Sequence, residues 1–323
     1  MSEWLLEVED LKTYFPVQKG FFGRKSGYIK AVDGVSFRLK QGETLGIVGE
    51  SGCGKSTTGR SILRLINPTG GSVKFSGTEI TSLPQGEMRK LRGRMQLVFQ
   101  DPYASLNPRM SVAAILSEAL SVRDQQMNRA GRREQVMDLM RLVGLNPNQA
   151  DRFPHEFSGG QRQRVGIARA LAVQPDLIIA DEPVSALDVS IQAQILNLLQ
   201  DLQERLRLTF IFISHDLSVV KHFSDRIVVM YLGGVVETAG KQQLFSKPYH
   251  PYSQALISAV PILNPLKKRE RIVLSGDVPN PANPPQGCTF HQRCMHCMDI
   301  CKTVRPMLVE VEPGHVVACH LYS

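Results

Sequence analysis

Three stretches of this sequence carry residue types that can do chemistry. The first is Gly49-Glu50-Ser51-Gly52-Cys53-Gly54-Lys55-Ser56-Thr57, directly after the apolar run Leu45-Gly46-Ile47-Val48. Its three glycines let the backbone fold into a nest of N–H groups. Lys55 can reach the outer phosphates of a nucleotide, and the Ser56 hydroxyl can ligate Mg²⁺. This spacing between a strand and a helix start predicts a cradle for a nucleoside triphosphate. The second stretch is Asp181-Glu182, which follows Leu177-Ile178-Ile179-Ala180 and precedes Pro183. A solvated strand end is the plain alternative for such a pair, but the apolar run before it and the proline after it oppose that. The third is a set of thiols. Of six cysteines, Cys53 lies in the cradle and reads as a small packing residue, while Cys288, Cys294, Cys297, Cys301 and Cys319 crowd into the end of the chain. In a reducing compartment that clustering points to a metal centre rather than to disulfides.

The elements that position these groups follow from hydrophobic period and turn residues. A strand is expected within residues 4–15, a loop over Pro16 to Lys30, and a second strand at Val35 to Leu39. Gln41-Gly42-Glu43 then turns the chain into the strand that carries the cradle. A helix is expected from Lys55 to about Ile66, short strands at Ser72 to Phe75 and Leu97 to Gln100, and a mostly helical stretch over 101–157, where Val136, Leu139, Met140 and Val143 recur at helical spacing. The apolar runs Leu177 to Ala180 and Thr209 to Ile213, separated by helical segments 161–172 and 189–206, read as buried parallel strands of an α/β sheet. Their carboxyl ends, where functional residues gather in such sheets, hold Asp181, Glu182 and His215. Ile227 to Tyr231 and Gly234 to Glu237 read as a hairpin, and the prolines at 279, 281, 284 and 285 as an extended linker before the cysteine-rich tail.

Composition narrows the class. No run approaches the ~18 apolar residues of a membrane span. The start Met1-Ser2-Glu3-Trp4-Leu5-Leu6-Glu7 is acidic where a signal peptide is basic, so a cytoplasmic location is expected. The formal charge of +8 is spread along the chain and includes the cluster Lys267-Lys268-Arg269. It suits nucleic acid, an anionic membrane surface or a nucleotide, and does not choose among them.

Taken together with Gln100, Ser158-Gly159-Gly160-Gln161 before a helix, Ser185-Ala186-Leu187-Asp188 and His215, these stretches resemble, in order and spacing over roughly residues 4–255, the nucleotide-binding subunit of an ATP-binding-cassette (ABC) transporter. The resemblance implies an α/β fold of the P-loop NTPase type, with an antiparallel β subdomain and a helical signature subdomain. Asp181 would hold the Mg²⁺ shell together with Ser56 and Gln100, and Glu182 would take a proton from attacking water. His215 matches the family's switch histidine, although a lone histidine is more often a plain core residue. Gln100, otherwise a turn residue, would link ATP to the helical subdomain. Phe15 matches the aromatic that stacks on adenine, with Tyr14 adjacent and a core role open for either. The helix start at Ser158-Gly159-Gly160 offers N–H groups to an anion, and in the family it caps the ATP of the partner subunit. Asp188 would lie at the contact between the two. A head-to-tail dimer follows, and moving it from 1:99 to 99:1 closed needs about 5.5 kcal/mol of preference for the closed state.

Beyond the cassette, Lys247 to Leu256 and the tail resemble a subgroup serving dipeptide, oligopeptide and nickel importers. In relatives, four cysteines matching Cys288, Cys294, Cys301 and Cys319 bind a four-iron, four-sulfur cluster. Zinc, with the Cys294-x2-Cys297 pair, is the rival, and Cys297 departs from the four-cysteine pattern. His291, His296, His315 and His320 read as surface residues. The expected division is an ABC ATPase domain over 1–260, with its helical subdomain at about 101–157, and an extension over 261–323. The implied partners are a homologous second ATPase, two transmembrane permease subunits and, indirectly, a periplasmic or extracellular peptide-binding protein, with no nucleic acid. The implied place is the cytoplasmic face of the inner membrane. A soluble ABC ATPase of translation or DNA repair is the alternative from another class, but such proteins carry two cassettes or a long coiled-coil insertion. A metal-binding regulator with a degenerate cassette is opposed by the full set Lys55, Asp181, Glu182 and His215.

Overall fold

The computed structural model describes residues 3–19, 24–260 and 271–323. Alternating residues at the start build a long hairpin of β1 (Leu6–Lys19) and β2 (Arg24–Leu39), paired antiparallel from Leu6↔Leu39 to Lys19↔Arg24. The stretch from Pro16 expected as a loop is therefore largely strand. Pro16 is tolerated because β1 runs beside a second partner only as far as Lys12↔Gly70, so its missing N–H costs no ladder bond on that side. Next come β3 (Thr44–Val48), buried at every position, and α1 (Lys55–Ile62). α1 stops short of Ile66, where Arg64 turns to a left-handed φ of 50°. β4 (Gly70–Phe75) and β5 (Thr78–Glu79) complete a four-stranded sheet of order β2-β1-β4-β5.

After α2 (Gln85–Arg92) and β6 (Met95–Val98) the chain turns helical, with α3 (Pro102–Ser105), α4 (Val112–Arg123) and α5 (Arg129–Leu142). The N-caps Ser111 and Asn128 start α4 and α5 by accepting the N–H groups of Ala114 and Gly131. Then α6 (Gly159–Leu171), β7 (Leu177–Asp181), α7 (Val189–Leu206) and β8 (Thr209–Ser214) alternate, and every residue of β7 and β8 is buried. α8 (Leu217–Phe223), β9 (Arg226–Tyr231), β10 (Gly234–Gly240), α9 (Lys241–Ser246), α10 (Pro251–Ser258), α11 (Asp299–Thr303), β11 (Val309–Glu312) and β12 (His315–Val317) finish the chain. The cluster Lys267-Lys268-Arg269 lies outside the described residues.

The chain divides into two compact units. One comprises the described parts of Met1–Lys40, Thr44–Ser82 and Ser214–Ser323. It holds the four-stranded sheet and also the run β3, β9, β10, β12, β11. In that run β3 and β9 are parallel, and the later pairs are antiparallel. The other comprises Gln41–Glu43 and Leu83–Ile213. Its three strands pair in parallel as β6-β7-β8, in register from Met95↔Leu177 and Leu177↔Thr209.

The tail departs from its sequence reading. Neither the four-iron, four-sulfur site of Cys288, Cys294, Cys301 and Cys319 nor the zinc alternative with Cys297 is found: no three His, Cys, Asp or Glu side chains among the described residues are arranged to hold a metal ion. Cys301 and Cys319 are buried while Cys297 is exposed. Burial, and secondarily the neighbouring thiols, pushes the Cys288 thiol up to about 11, and burial raises Cys294 and Cys319 as well. Without a metal, burial thus favours the protonated thiols of these three cysteines.

The tail is held by packing and buried polar pairs instead. Phe290, 1% exposed, sits among the rings of Tyr231, Tyr252 and His250 at centroid distances of 5.2, 5.4 and 5.5 Å. Burial of that one side chain stabilises by about 1.5–3 kcal/mol. His315 is not a surface residue. Pairing of β12 with β10 brings its Nε2 to 2.7 Å from Glu237 Oε1, with both residues 0% exposed. The Glu237 carboxylate also accepts the N–H groups of Tyr249 and His250 at 2.7 and 3.0 Å.

Candidate functional site

The phosphate loop lies in the first unit, at the carboxyl end of β3. Two of its glycines are required by close approach. A Cβ on Gly49, at φ 153°, would stand 2.2 Å from the Met230 carbonyl oxygen, and one on Gly54, at φ 101°, would stand 2.0 Å from that of Ala31. The loop is thereby pressed against β9 and β2, and α1 starts directly after it at Lys55. The Lys55 ammonium, 4% exposed, donates to the carbonyls of Gly49 at 2.8 Å and Glu50 at 3.0 Å. It is held over the loop by bonds that a phosphate oxygen can replace. Burial raises the Cys53 thiol, which fits its reading as a packing residue.

Of the two adjacent aromatics in the second half of β1, Tyr14 is engaged. Its hydroxyl donates to Asp33, whose other carboxylate oxygen accepts from Arg305 at 2.8 Å. Burial first, then the bond to Asp33, pushes the Tyr14 phenol up to about 12, while the Asp33 carboxyl is held below the usual range by Tyr14 and Arg305 against its own desolvation. Phe15 points the other way and is 38% exposed. In the same unit, exposed His215 follows β8 directly. Asp216 behind it caps α8 by accepting the Ser218 N–H at 2.7 Å.

The second unit carries the carboxylates. Asp181, 1% exposed, is the last residue of β7. Glu182 leaves the strand in a left-handed conformation at φ 47°, with its N–H donated to the Ile213 carbonyl at 3.0 Å. A non-glycine residue rarely adopts this region, and such strain gathers where function requires a side chain to be aimed. The Gln100 amide donates to Glu182 Oε2 at 3.1 Å and to Ser185 Oγ at 3.3 Å, so the glutamine after β6 and the glutamate after β7 share one polar cluster.

In this unit too, Ser158 N-caps α6. Its hydroxyl accepts the Gln161 N–H at 3.3 Å, and Gln161 Oε1 accepts the Ser158 N–H at 3.0 Å. Gly160 is required by its neighbour, since a Cβ there would stand 2.4 Å from Ile191 of α7. Asp188 is exposed at the N-cap of α7.

Two residues to which sequence reasoning gave no role touch the phosphate loop at Glu50. Its N–H donates to the Tyr252 hydroxyl at 2.8 Å, and its carboxylate is met by Arg293. Neither partner is near in sequence, so no local pattern points to them.

The chain is similar to known proteins along most of its length. A model of the ABC transporter family matches residues 32–185, and a model of the oligopeptide/dipeptide transporter C-terminal region matches residues 236–301. The chain is 58% identical over 325 residues to the oligopeptide transport ATP-binding protein AppF of Bacillus subtilis (strain 168), covering 100% of this chain and 98% of that protein. It is 52% identical over 321 residues to the probable peptide ABC transporter ATP-binding protein y4tS of Sinorhizobium fredii, covering 99% and 91%. Among solved structures it resembles a dimeric post-hydrolysis state of the ATP-binding cassette MJ0796 bound to ADP and Pi. The TM-score is 0.65 at 29% identity, covering 73% of this chain and 98% of that one. It also resembles cbiO1 of Clostridium perfringens, part of the ABC transporter complex cbiONQ, with TM-score 0.65 at 28% identity, covering 76% and 92%.

Proposed function

This chain belongs to the ABC transporter family, and from that premise we propose that it is the ATP-hydrolysing subunit of an importer that takes up dipeptides or short oligopeptides through a separate membrane permease. The observation that supports the nucleotide reading is the close-packed loop, in which a side chain at Gly49 or Gly54 would collide with a carbonyl oxygen and the Lys55 ammonium is held over the loop by bonds that phosphate oxygens can replace. The peptide reading rests on the relatives, which are named for oligopeptide and peptide transport and match along nearly their whole length.

The residues divide the work as follows. Gly49, Ser51, Gly52, Cys53, Gly54 and Thr57 cradle the phosphates through their backbone, and Lys55 exchanges its carbonyl partners for outer phosphate oxygens. Phe15 stacks on the adenine, a role that its exposure supports and that the engagement of Tyr14 with Asp33 denies to its neighbour. Ser56, Gln100 and Asp181 would hold magnesium, which when bound neutralises charge on the phosphoryl oxygens. Glu182 accepts the proton of the attacking water, held in aim by the Ile213 and Gln100 bonds. His215 contacts the terminal phosphate, and Gln100 reports its state to the helical subdomain at 101–157. Ser158, Gly159, Gly160 and Gln161 cap the nucleotide of a second, homologous ATPase, with Asp188 at the contact between the two.

The assembly completes itself with two transmembrane permease subunits and, indirectly, a peptide-binding protein, with no nucleic acid. No helix among the described residues is long and apolar enough to cross a membrane. The chain works from the cytoplasmic face of the inner membrane, with 1–260 as the ATPase domain and 261–323 as the subgroup's extension. The test is transport. Proteoliposomes holding the complex co-purified with this chain should take up labelled di- and tripeptides in a MgATP-dependent way, and uptake of nickel without peptides would overturn the peptide reading.

A further inference from the structure

Glu50 places a carboxylate in a loop that holds a polyanion. Ionised and unpaired there, it would repel phosphate and compete with it for the Lys55 ammonium. The fold meets that charge with Arg293, 243 residues away in sequence. The guanidinium donates from Nη1 to Glu50 Oε2 at 2.7 Å and from Nη2 to Glu50 Oε1 at 3.1 Å, a two-bond fork that a lysine cannot make. The Arg293 side chain is 7% exposed and that of Glu50 28%, so the pair is far better shielded than the surface ion pairs of this chain. It also stands 5.9 Å over the Tyr231 ring.

Two further bonds act on the same residue. The Glu50 N–H donates to the Tyr252 hydroxyl at 2.8 Å, and Lys55 donates to the Glu50 carbonyl at 3.0 Å. Arg293 is itself delivered by the short turn His291–Arg293, whose preceding residue Phe290 is buried among Tyr231, Tyr252 and His250. The ring cluster that anchors the tail therefore also sets the guanidinium and the tyrosine hydroxyl that grip the loop.

We infer that Arg293 is a positioning residue of the phosphate loop: acting through Glu50, it neutralises and orients the loop, so that the C-terminal extension completes the nucleotide site of its own chain. This rests on the ATP-binding reading above. It gives the extension a role in nucleotide affinity that needs no metal. The chemistry at Glu182 is untouched by it, so the effect falls on MgATP affinity rather than on turnover.

The experiment is a charge-rescue series on the full chain, reading KM and kcat for MgATP hydrolysis and equilibrium binding of labelled MgATP. Arg293→Ala leaves a half-buried carboxylate without its partner, and KM should rise about 10-fold or more with kcat within about 3-fold. Adding Glu50→Gln to Arg293→Ala removes the orphaned charge and should recover most of that affinity. Arg293→Lys, which keeps the charge without the fork, should fall between native and Arg293→Ala. If the alanine variant does not fold, Arg293→Lys is compared with Arg293→Lys/Glu50→Gln in the same way. A native KM in the Arg293 variants overturns the inference, and so does a raised KM that Glu50→Gln does not relieve, because loss of tail structure alone would not respond to that charge. Failure of the native chain to bind MgATP would overturn the ATP-binding reading itself, whereas native binding without rescue overturns this inference alone.

Discussion

Glu182→Gln isolates the chemical step, because the structure lets everything else about that residue survive. The backbone keeps its φ of 47° and its N–H bond to Ile213. A left-handed residue costs roughly 1–2 kcal/mol whether it is glutamate or glutamine, so global stability should move by no more than about 0.5 kcal/mol. The amide oxygen of glutamine can still accept from Gln100, which now reaches Oε2 at 3.1 Å. What disappears is the capacity to take a proton. Loss of a general base costs about 10²–10⁴ in rate, or about 3–5 kcal/mol at roughly 1.4 kcal/mol per decade. The phosphate loop is built by other residues, so MgATP binding should stay within about 3-fold of native. Phosphate release and labelled MgATP binding are measured on one preparation. Turnover near native would remove Glu182 from the role of base, and binding lost in step with turnover would make the residue structural.

Two other expectations follow from the geometry. Gly54→Ala should destabilise by on the order of 3 kcal/mol and abolish MgATP binding, since left-handed strain adds to a collision with backbone. Gly52→Ala, where a Cβ at φ 80° meets nothing within 4 Å, should show the strain alone, so equal losses in urea unfolding of the two variants would refute the steric argument. His250 gives a pH signature. Burial holds its imidazole down at about 4 from 6.5, with Glu237 opposing, and its Nδ1 accepts the Tyr252 N–H at 3.0 Å as the cap of α10. The unfolded chain therefore takes up the proton first. The stability this confers is complete above about pH 6.5 and is lost as pH falls towards 4, about 3 kcal/mol in all at roughly 1.4 kcal/mol per pH unit. Urea unfolding at pH 7.5 and 5 should show most of that loss in the native chain and a smaller one in His250→Asn, and equal pH dependence would refute it.

The parts legible in the sequence are those whose cause is local. The runs Leu177 to Ala180 and Thr209 to Ile213 are apolar on both faces because parallel strands are buried on both faces. The start of α6 is written in the reciprocal bonds of Ser158 and Gln161, three residues apart. The illegible parts depend on partners far along the chain. Pro16 to Lys30 looks like a loop by composition, yet its described parts, Pro16 to Lys19 and Arg24 to Lys30, lie in strands that pair with each other. His315 looks like a surface residue until β12 lays it on Glu237, 78 positions earlier. The crowd of cysteines suggests a metal because spacing says nothing of burial, and burial raises the thiols of Cys288, Cys294 and Cys319 while Cys297 stands exposed.

The groups proposed to carry the chemistry share a mode of placement that explains why some are easily read and others not. Gly49 follows β3, Glu182 follows β7 and His215 follows β8, so each is set where a buried strand ends and the regular ladder no longer dictates the backbone. Freed from the ladder, the backbone must be held by something else. At Gly49 and Gly54 that is exclusion, because only glycine fits against the carbonyls of Met230 and Ala31, and such a constraint is visible in the sequence as glycine. At Glu182 it is a bond to the neighbouring strand at Ile213, strong enough to keep a glutamate in a region that costs on the order of 1–3 kcal/mol. At Glu50 it is an arginine of the C-terminal extension and a tyrosine 202 residues on, which no motif records. The phosphate loop thus owes its shape partly to nine consecutive residues that announce themselves and partly to Arg293 and Tyr252, so its affinity for nucleotide should respond to changes in the C-terminal extension as well as to changes in the loop.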